Sequence, residues 1–128
     1  MSKPIRILVV DDFPTMRRIV RSLLLELGYE DVAEADDGST ALPMLRAGDF
    51  DLLITDWNMP GMHGLDLIRS VRADARLARL PVVLLTGESR REQIVEAVQA
   101  GASALVMKPF TGEVLAEKLR KIFPRGNA

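Results

Sequence analysis

Short apolar runs alternate along the chain with segments whose apolar residues recur at helical spacing. The runs are Ile5 to Val10, Val32 to Ala35, Asp51 to Thr55, Pro81 to Leu85 and Ala104 to Met107, and their length and composition predict strands. Four are almost wholly apolar, as strands covered on both faces must be. Val32 to Ala35 is shorter and carries Glu34, which predicts an edge. Between Pro14 and Leu27 the residues Met16, Ile19, Val20, Leu23, Leu24 and Leu27 form one apolar face, with Arg17, Arg18, Arg21 and Glu26 on the other side. Pro14 suits the first turn of that helix and Gly28 its stop. Weaker patterns predict helices over Ser39 to Arg46, Leu65 to Ala73, Arg91 to Ala100 and Thr111 to Ile122. Pro43 falls inside the second helix, where it removes one backbone hydrogen bond and is expected to bend or loosen the segment. Strict alternation of strand and helix predicts the α/β class, a single doubly wound (βα)5 domain over residues 1–128 with helices on both faces of a parallel sheet.

Composition narrows the class further. A chain of 128 residues can bury a core without metal or disulfide staples, and it has no cysteine to form one. A reducing, cytoplasmic setting follows as the expectation. No apolar run approaches the roughly 20 residues needed to cross a bilayer, and the N-terminus lacks the pattern of a signal peptide. Formal net charge is −1 and no basic run exceeds two residues, which excludes a nucleic-acid footprint.

Candidate chemistry lies at one place in this pattern. Asp11 and Asp12, Asp56, Thr86 and Lys108 each stand at the C-terminal end of a predicted strand, the edge where open α/β sheets bind ligands. Three crowded carboxylates raise one another's pKa, and a hard divalent cation relieves them. Mg²⁺ fits better than Ca²⁺, since it keeps several waters and takes few carboxylates. Zinc is disfavoured, because no His or Cys lies at these ends. With a metal in place one carboxylate can attack phosphorus, a reaction that needs mainly positioning and charge neutralisation. Lys108 would bind one phosphoryl oxygen, Thr86 would offer a hydroxyl to another, and Gly87 leaves room beside it. The acid pair also fits a helix start, and Asp12 is expected to cap that helix as well. His63 is read as an exposed loop residue, and Trp57 as the aromatic rim of the cleft or a partner contact.

Five separated motifs carry a resemblance that spans nearly the whole chain: Val9-Val-Asp-Asp-Phe-Pro-Thr-Met-Arg-Arg, Thr55-Asp-Trp-Asn-Met-Pro-Gly-Met-His-Gly-Leu, Leu85-Thr-Gly-Glu, Gln99-Ala-Gly-Ala-Ser and Val106-Met-Lys-Pro-Phe-Thr. Together they resemble the receiver domains of bacterial response regulators, most of all the stand-alone chemotaxis regulators. The resemblance implies a flavodoxin-like sheet of order 2-1-3-4-5 and a switch phosphorylated by a histidine kinase on Asp56. It further implies that Asp12, Asp56 and the Asn58 backbone carbonyl bind Mg²⁺, with Asp11 acting mainly through water. Lys108 would pair with the phosphoryl group, Thr86 would swing towards it, and the Lys108-Pro109 bond would be cis. Asn58 and Glu88 take the positions that tune dephosphorylation.

In the family, an aromatic residue on the fifth strand rotates inward when the threonine moves, and the surface of the fourth helix, fifth strand and fifth helix changes partner affinity. Leu105 stands at that aromatic position, with Arg90, Arg91, Lys118 and Lys121 nearby as partner-surface candidates or simply a solvated basic face. Leucine has no hydroxyl and less area, so coupling to the flagellar motor switch is expected to weaken, leaving a phosphate sink or non-motor regulator as the alternative. The implied partners are a chemotaxis-type histidine kinase, the motor switch protein and a phosphatase, for a monomer. An aspartate-nucleophile phosphohydrolase would instead need Asp-x-Asp on its first strand, and a flavodoxin-like electron carrier a phosphate-cradling loop where Asp11-Asp-Phe-Pro stands.

Overall fold

The computed structural model describes residues 4–59, 62–87 and 90–124. Strands β1 (Arg6–Val10), β2 (Asp31–Ala35), β3 (Leu52–Asp56), β4 (Val82–Thr86) and β5 (Ala104–Met107) alternate with helices α1 (Pro14–Glu26), α2 (Gly38–Ala47), α3 (Gly64–Ala73), α4 (Arg91–Ala100) and α5 (Gly112–Ile122). All strands pair in parallel, in the order β2-β1-β3-β4-β5. The chain therefore reverses its winding direction between β1 and β3, and their C-terminal ends open a crevice at that switch point.

Two cores follow from the two-residue period of the strands. On one face Leu8, Val10, Leu53, Val82 and Leu84 meet Ala41, Leu45, Leu67, Ile68, Val71 and Ala97 of α2, α3 and α4. On the other, Ile7, Val9, Leu52, Ile54, Val83 and Leu85 meet Val20, Leu24, Leu115 and Leu119 of α1 and α5. Every residue of β3 and β4 is buried, as central strands covered on both sides require.

Helix boundaries follow local chemistry. The Asp37 side chain accepts the Thr40 N–H at 2.9 Å to cap α2, and Thr111 Oγ1 accepts the Val114 N–H at 3.3 Å to cap α5. Gly28 and Gly101 stop α1 and α4 at φ values of 97° and 113°, a region open to glycine without steric cost. Helix α2 continues through Pro43 despite the lost bond. Arg72 of α3 ties two loops together, giving hydrogen bonds to the carbonyls of Ala78, Leu80 and Gly101.

Strand β5 is the second edge, as the order 2-1-3-4-5 implies, with Met107 exposed; α4 and α5 cover it from opposite faces, so its apolar run resembles that of an interior strand. Two expectations need correction. Ile19, placed on the buried face of α1, is 47% exposed because the helix leans on Val20 and Leu24. Asp12 does not cap α1. The cap position belongs to Phe13, without a side-chain cap, and the loop N–H is held by Asp11 instead.

Candidate functional site

The parallel sheet brings the C-terminal ends of β1, β3, β4 and β5 to one edge, and the acids gather there. Carboxylate oxygens of Asp11, Asp12 and Asp56 all lie within 4.8 Å of one another. Asp11 follows β1 directly, its N–H bonded to the Ala35 carbonyl of β2 at 3.2 Å and its Oδ1 accepting the Phe13 N–H at 2.9 Å. Asp56 ends β3, and its neighbour Trp57 donates its N–H to the Leu85 carbonyl at 3.1 Å. Asp11 is 2% exposed and Asp56 7%, whereas Asp12 faces solvent.

Lys108 crosses the mouth of this cluster. Its Nζ lies 2.5 Å from Asp56 Oδ1 and 4.0 Å from Asp11 Oδ2. The Lys108 N–H bonds to the Thr86 carbonyl at 2.8 Å, so the lysine stem is tied to the end of the neighbouring strand. The Lys108-Pro109 peptide is cis. Thr86 ends β4 at 1% exposure, on the strand next to Asp56.

One lysine against three carboxylates leaves the cluster negative. Burial raises the Asp11 pKa above its ordinary value, opposed by the Phe13 N–H bond and reinforced by the Asp56 charge. Asp11 Oδ2 is buried without a hydrogen-bond partner. A buried, unpartnered carboxylate oxygen aimed into an acid cluster is what a hard cation satisfies, so the donor set fits Mg²⁺.

The raised Asp11 pKa carries a prediction with a defined sign. Because the folded state binds this proton more tightly than the unfolded chain, the stabilisation is complete below the ordinary carboxylate value and disappears as pH rises through the folded one. At neutral pH the metal-free protein thus holds a charged Asp11 at a cost. Asp11→Asn is expected to raise stability there by about 1–3 kcal/mol, or roughly 4–11 °C in Tm. Melting curves in a chelator should show that gain shrinking as pH falls into the range where Asp11 itself takes up the proton. A gain that persists unchanged at low pH would refute this reading.

Of the other sequence candidates, Asn58 lies exposed two residues beyond Asp56, and Glu88 lies outside the described residues. Leu105 is half-buried against the α4-side core, its register partner being Leu84. Arg90 and Arg91 stand exposed at the start of α4, while Lys118 and Lys121 lie on α5, which packs on the opposite face of the sheet. His63 is exposed just before α3. Trp57 packs half-buried against the α2-α3 side.

Two residues escaped the sequence reading. Gly64 opens α3 against the backbone of Asp56: its N–H bonds to the Trp57 carbonyl at 3.0 Å, and a Cβ there would overlap the Asp56 carbonyl oxygen. Its signal was present, since a glycine at the first position of a helix after a site loop marks close backbone approach. Arg17, assigned to the outer side of α1, turns back and donates from Nη1 to the Asp11 carbonyl at 2.6 Å. Helical periodicity gives no sign of that reach.

Comparison with known proteins decides the family. The family model described as the response regulator receiver domain matches residues 7–120. The chain belongs to that family. It is 62% identical over 122 residues to the chemotaxis protein CheY of Pseudomonas aeruginosa, covering 95% of this chain and 98% of that one. The solved structure of Vibrio cholerae chemotaxis protein CheY4 superposes with a TM-score of 0.87 at 34% identity, over 94% of this chain and 99% of that one. A receiver domain of a Pseudomonas aeruginosa sensor histidine kinase, solved with a magnesium ion coordinated in its active-site cleft, matches with a TM-score of 0.86 at 26% identity, over 95% and 99% of the two chains. Receiver domains are phosphorylation-dependent signalling domains rather than enzymes acting on a separate substrate, and neither the phosphohydrolase nor the flavin reading is favoured. Among the described residues no helix is long and apolar enough to cross a membrane.

Proposed function

We propose that this chain is a chemotaxis-type switch whose Asp56 accepts a phosphoryl group from a histidine kinase. The observation that carries the reading is the convergence of Asp11, Asp12, Asp56 and Lys108 on one strand-end crevice. An Asp56 carboxylate oxygen forms a bond to phosphorus as the bond from phosphorus to the kinase histidine nitrogen breaks. Lys108, already paired with Asp56, follows the incoming group and binds one of its oxygens. Thr86 supplies a hydroxyl from the adjacent strand end. Asp12, Asp56 and the Asn58 main-chain carbonyl would hold Mg²⁺, with Asp11 close behind through water. When bound, the ion neutralises charge on the phosphoryl oxygens. Asn58 and Glu88 are the positions that set the rate at which water removes the phosphoryl group.

The test uses the single tryptophan, which adjoins the nucleophile. Acetyl phosphate should quench or shift Trp57 fluorescence only when Mg²⁺ is present, and a chelator should abolish the response. A chelator-resistant response would contradict the metal-dependent reading.

The downstream partner proposed is the flagellar motor switch protein, with a phosphatase completing the cycle for a cytoplasmic monomer of one domain. Leu105 lowers the expected output. Without an aromatic ring to rotate into space vacated near Thr86, phosphorylation should raise affinity for a motor-switch peptide only at the low end of the roughly 5- to 150-fold range typical of allosteric coupling. Titrating that peptide against phosphorylated and unphosphorylated protein, and against Leu105→Tyr, measures the effect. A large gain without the tyrosine would refute weakened coupling.

A further inference from the structure

The backbone of Asp11 is held on both sides. Its N–H is bonded to the Ala35 carbonyl of β2 at 3.2 Å, and its carbonyl takes the Arg17 Nη1 bond at 2.6 Å. Arg17 in turn gives its Nε to Glu34 Oε1 at 3.2 Å, and Glu34 Oε2 is bonded by Arg21 Nη1 at 3.3 Å. The Arg17 side chain is only 18% exposed, and Glu34 28%. The chain of contacts thus runs from the edge strand β2, through α1, to the main chain between the two cluster acids. Its far end is Asp11 Oδ2, among the described residues the one buried carboxylate oxygen without a hydrogen-bond partner.

From these contacts we infer that Arg17, held by Glu34, is a positioning residue that sets the acid pair for divalent-ion binding. The inference rests on the metal reading of the cluster. The physical reason is pre-organisation: a charge-assisted bond to a backbone carbonyl fixes a peptide more firmly than a neutral one, and the rigid donor fork of a guanidinium holds carbonyl and carboxylate together in a more defined geometry than a flexible ammonium does. With the Asp11–Asp12 peptide fixed, Asp12 is placed to meet the ion directly and Asp11 to meet it through water, with less backbone freedom to lose on binding. Partners outside the ligand set are worth about 10- to 100-fold in metal affinity when they orient the ligands.

This role and a simple charge effect have opposite signs. Arg17 is a cation beside an acid cluster, so deleting its charge should tighten Mg²⁺ if through-space repulsion were its main influence. Under the positioning role, Arg17→Met, which keeps an apolar stem for packing, weakens Mg²⁺ about tenfold. Glu34→Gln should weaken it by several-fold in about 1 M salt, where the Debye length falls to about 3 Å and remote charge no longer counts. Added to Arg17→Met, the Glu34 change should give no further loss, since both act through one contact.

The measurement is Mg²⁺ titration of Trp57 fluorescence in the full chain, with no phosphodonor, beside melting curves in a chelator. Weaker Mg²⁺ binding in Arg17→Met, with the Glu34→Gln effect absorbed in the double variant, supports the inference. Equal or tighter binding in Arg17→Met overturns it, even if its Tm falls, and so does a Glu34 effect that persists undiminished in the Arg17→Met background. If Arg17→Met does not fold, Glu34→Gln alone decides at high salt, and unchanged affinity there overturns the inference. No Mg²⁺ response from the unsubstituted protein would remove the metal reading and this inference together; a response unaltered by the substitutions removes this inference alone.

Discussion

Asp56→Asn is expected to abolish phosphorylation while leaving the fold intact. The side chain is 7% exposed and its Oδ1 is paired with Lys108, so asparagine fits the same space and can still accept that bond. An amide oxygen is a far poorer nucleophile towards phosphorus than a carboxylate, and loss of a covalent nucleophile costs on the order of 10⁴- to 10⁶-fold in rate. Removing one of three crowded acids also relieves like-charge repulsion, so the thermal transition should stay where it is or rise. Intact mass after incubation with acetyl phosphate and Mg²⁺ should register one added phosphoryl group on the unsubstituted chain and none on the variant. Equal stoichiometry on the variant would place the acceptor elsewhere.

Gly64→Ala should damage both stability and the site, although alanine is otherwise the better helix former. The added Cβ would overlap the Asp56 carbonyl oxygen and come within 3.1 Å of Trp57 Cα, and both are backbone atoms that have no rotamer to yield. Either the start of α3 lifts away, breaking the Gly64 N–H bond to the Trp57 carbonyl, or the end of β3 shifts and takes the nucleophile with it. Overpacking of this kind costs about 1–3 kcal/mol or more, roughly 4–11 °C in Tm for a domain of this size. A reduced rate of phosphorylation should accompany the lower melting temperature. An alanine variant that matches the unsubstituted protein in both would contradict the close approach.

Most of the architecture could be read from residue patterns, and what the patterns missed shares a cause. Apolar runs and helical spacing report how much of a segment is covered, so β1, β3 and β4 and the buried faces of α3 and α5 emerged at nearly their observed bounds. They do not report what covers it. Strand β5 lies at an edge yet is sheltered by α4 and α5, and its run of Ala, Leu, Val and Met matches that of a central strand. Glu34 did mark an edge, but its charge also serves the Arg17 contact, which no spacing rule reveals.

The site was legible because parallel strands deliver their C-terminal residues to one edge, so a list of polar strand ends became a list of neighbours. What residue patterns did not show was which acid of the pair is buried and which holds the loop. Asp12, a plausible cap by position, is the exposed member, while Asp11 caps the loop and carries the unpartnered buried oxygen. That division depends on how the chain turns after β1, and Arg17 is part of the turn.

The most direct test is a crystal structure grown with Mg²⁺ and beryllofluoride, a mimic of the bound phosphoryl group. The expected result is one ion about 2.0–2.1 Å from carboxylate oxygens of Asp12 and Asp56 and from the Asn58 carbonyl, with the mimic joined to Asp56 and touching Lys108 and Thr86. An ion bound away from these acids, or a mimic seated on any other side chain, would contradict the account.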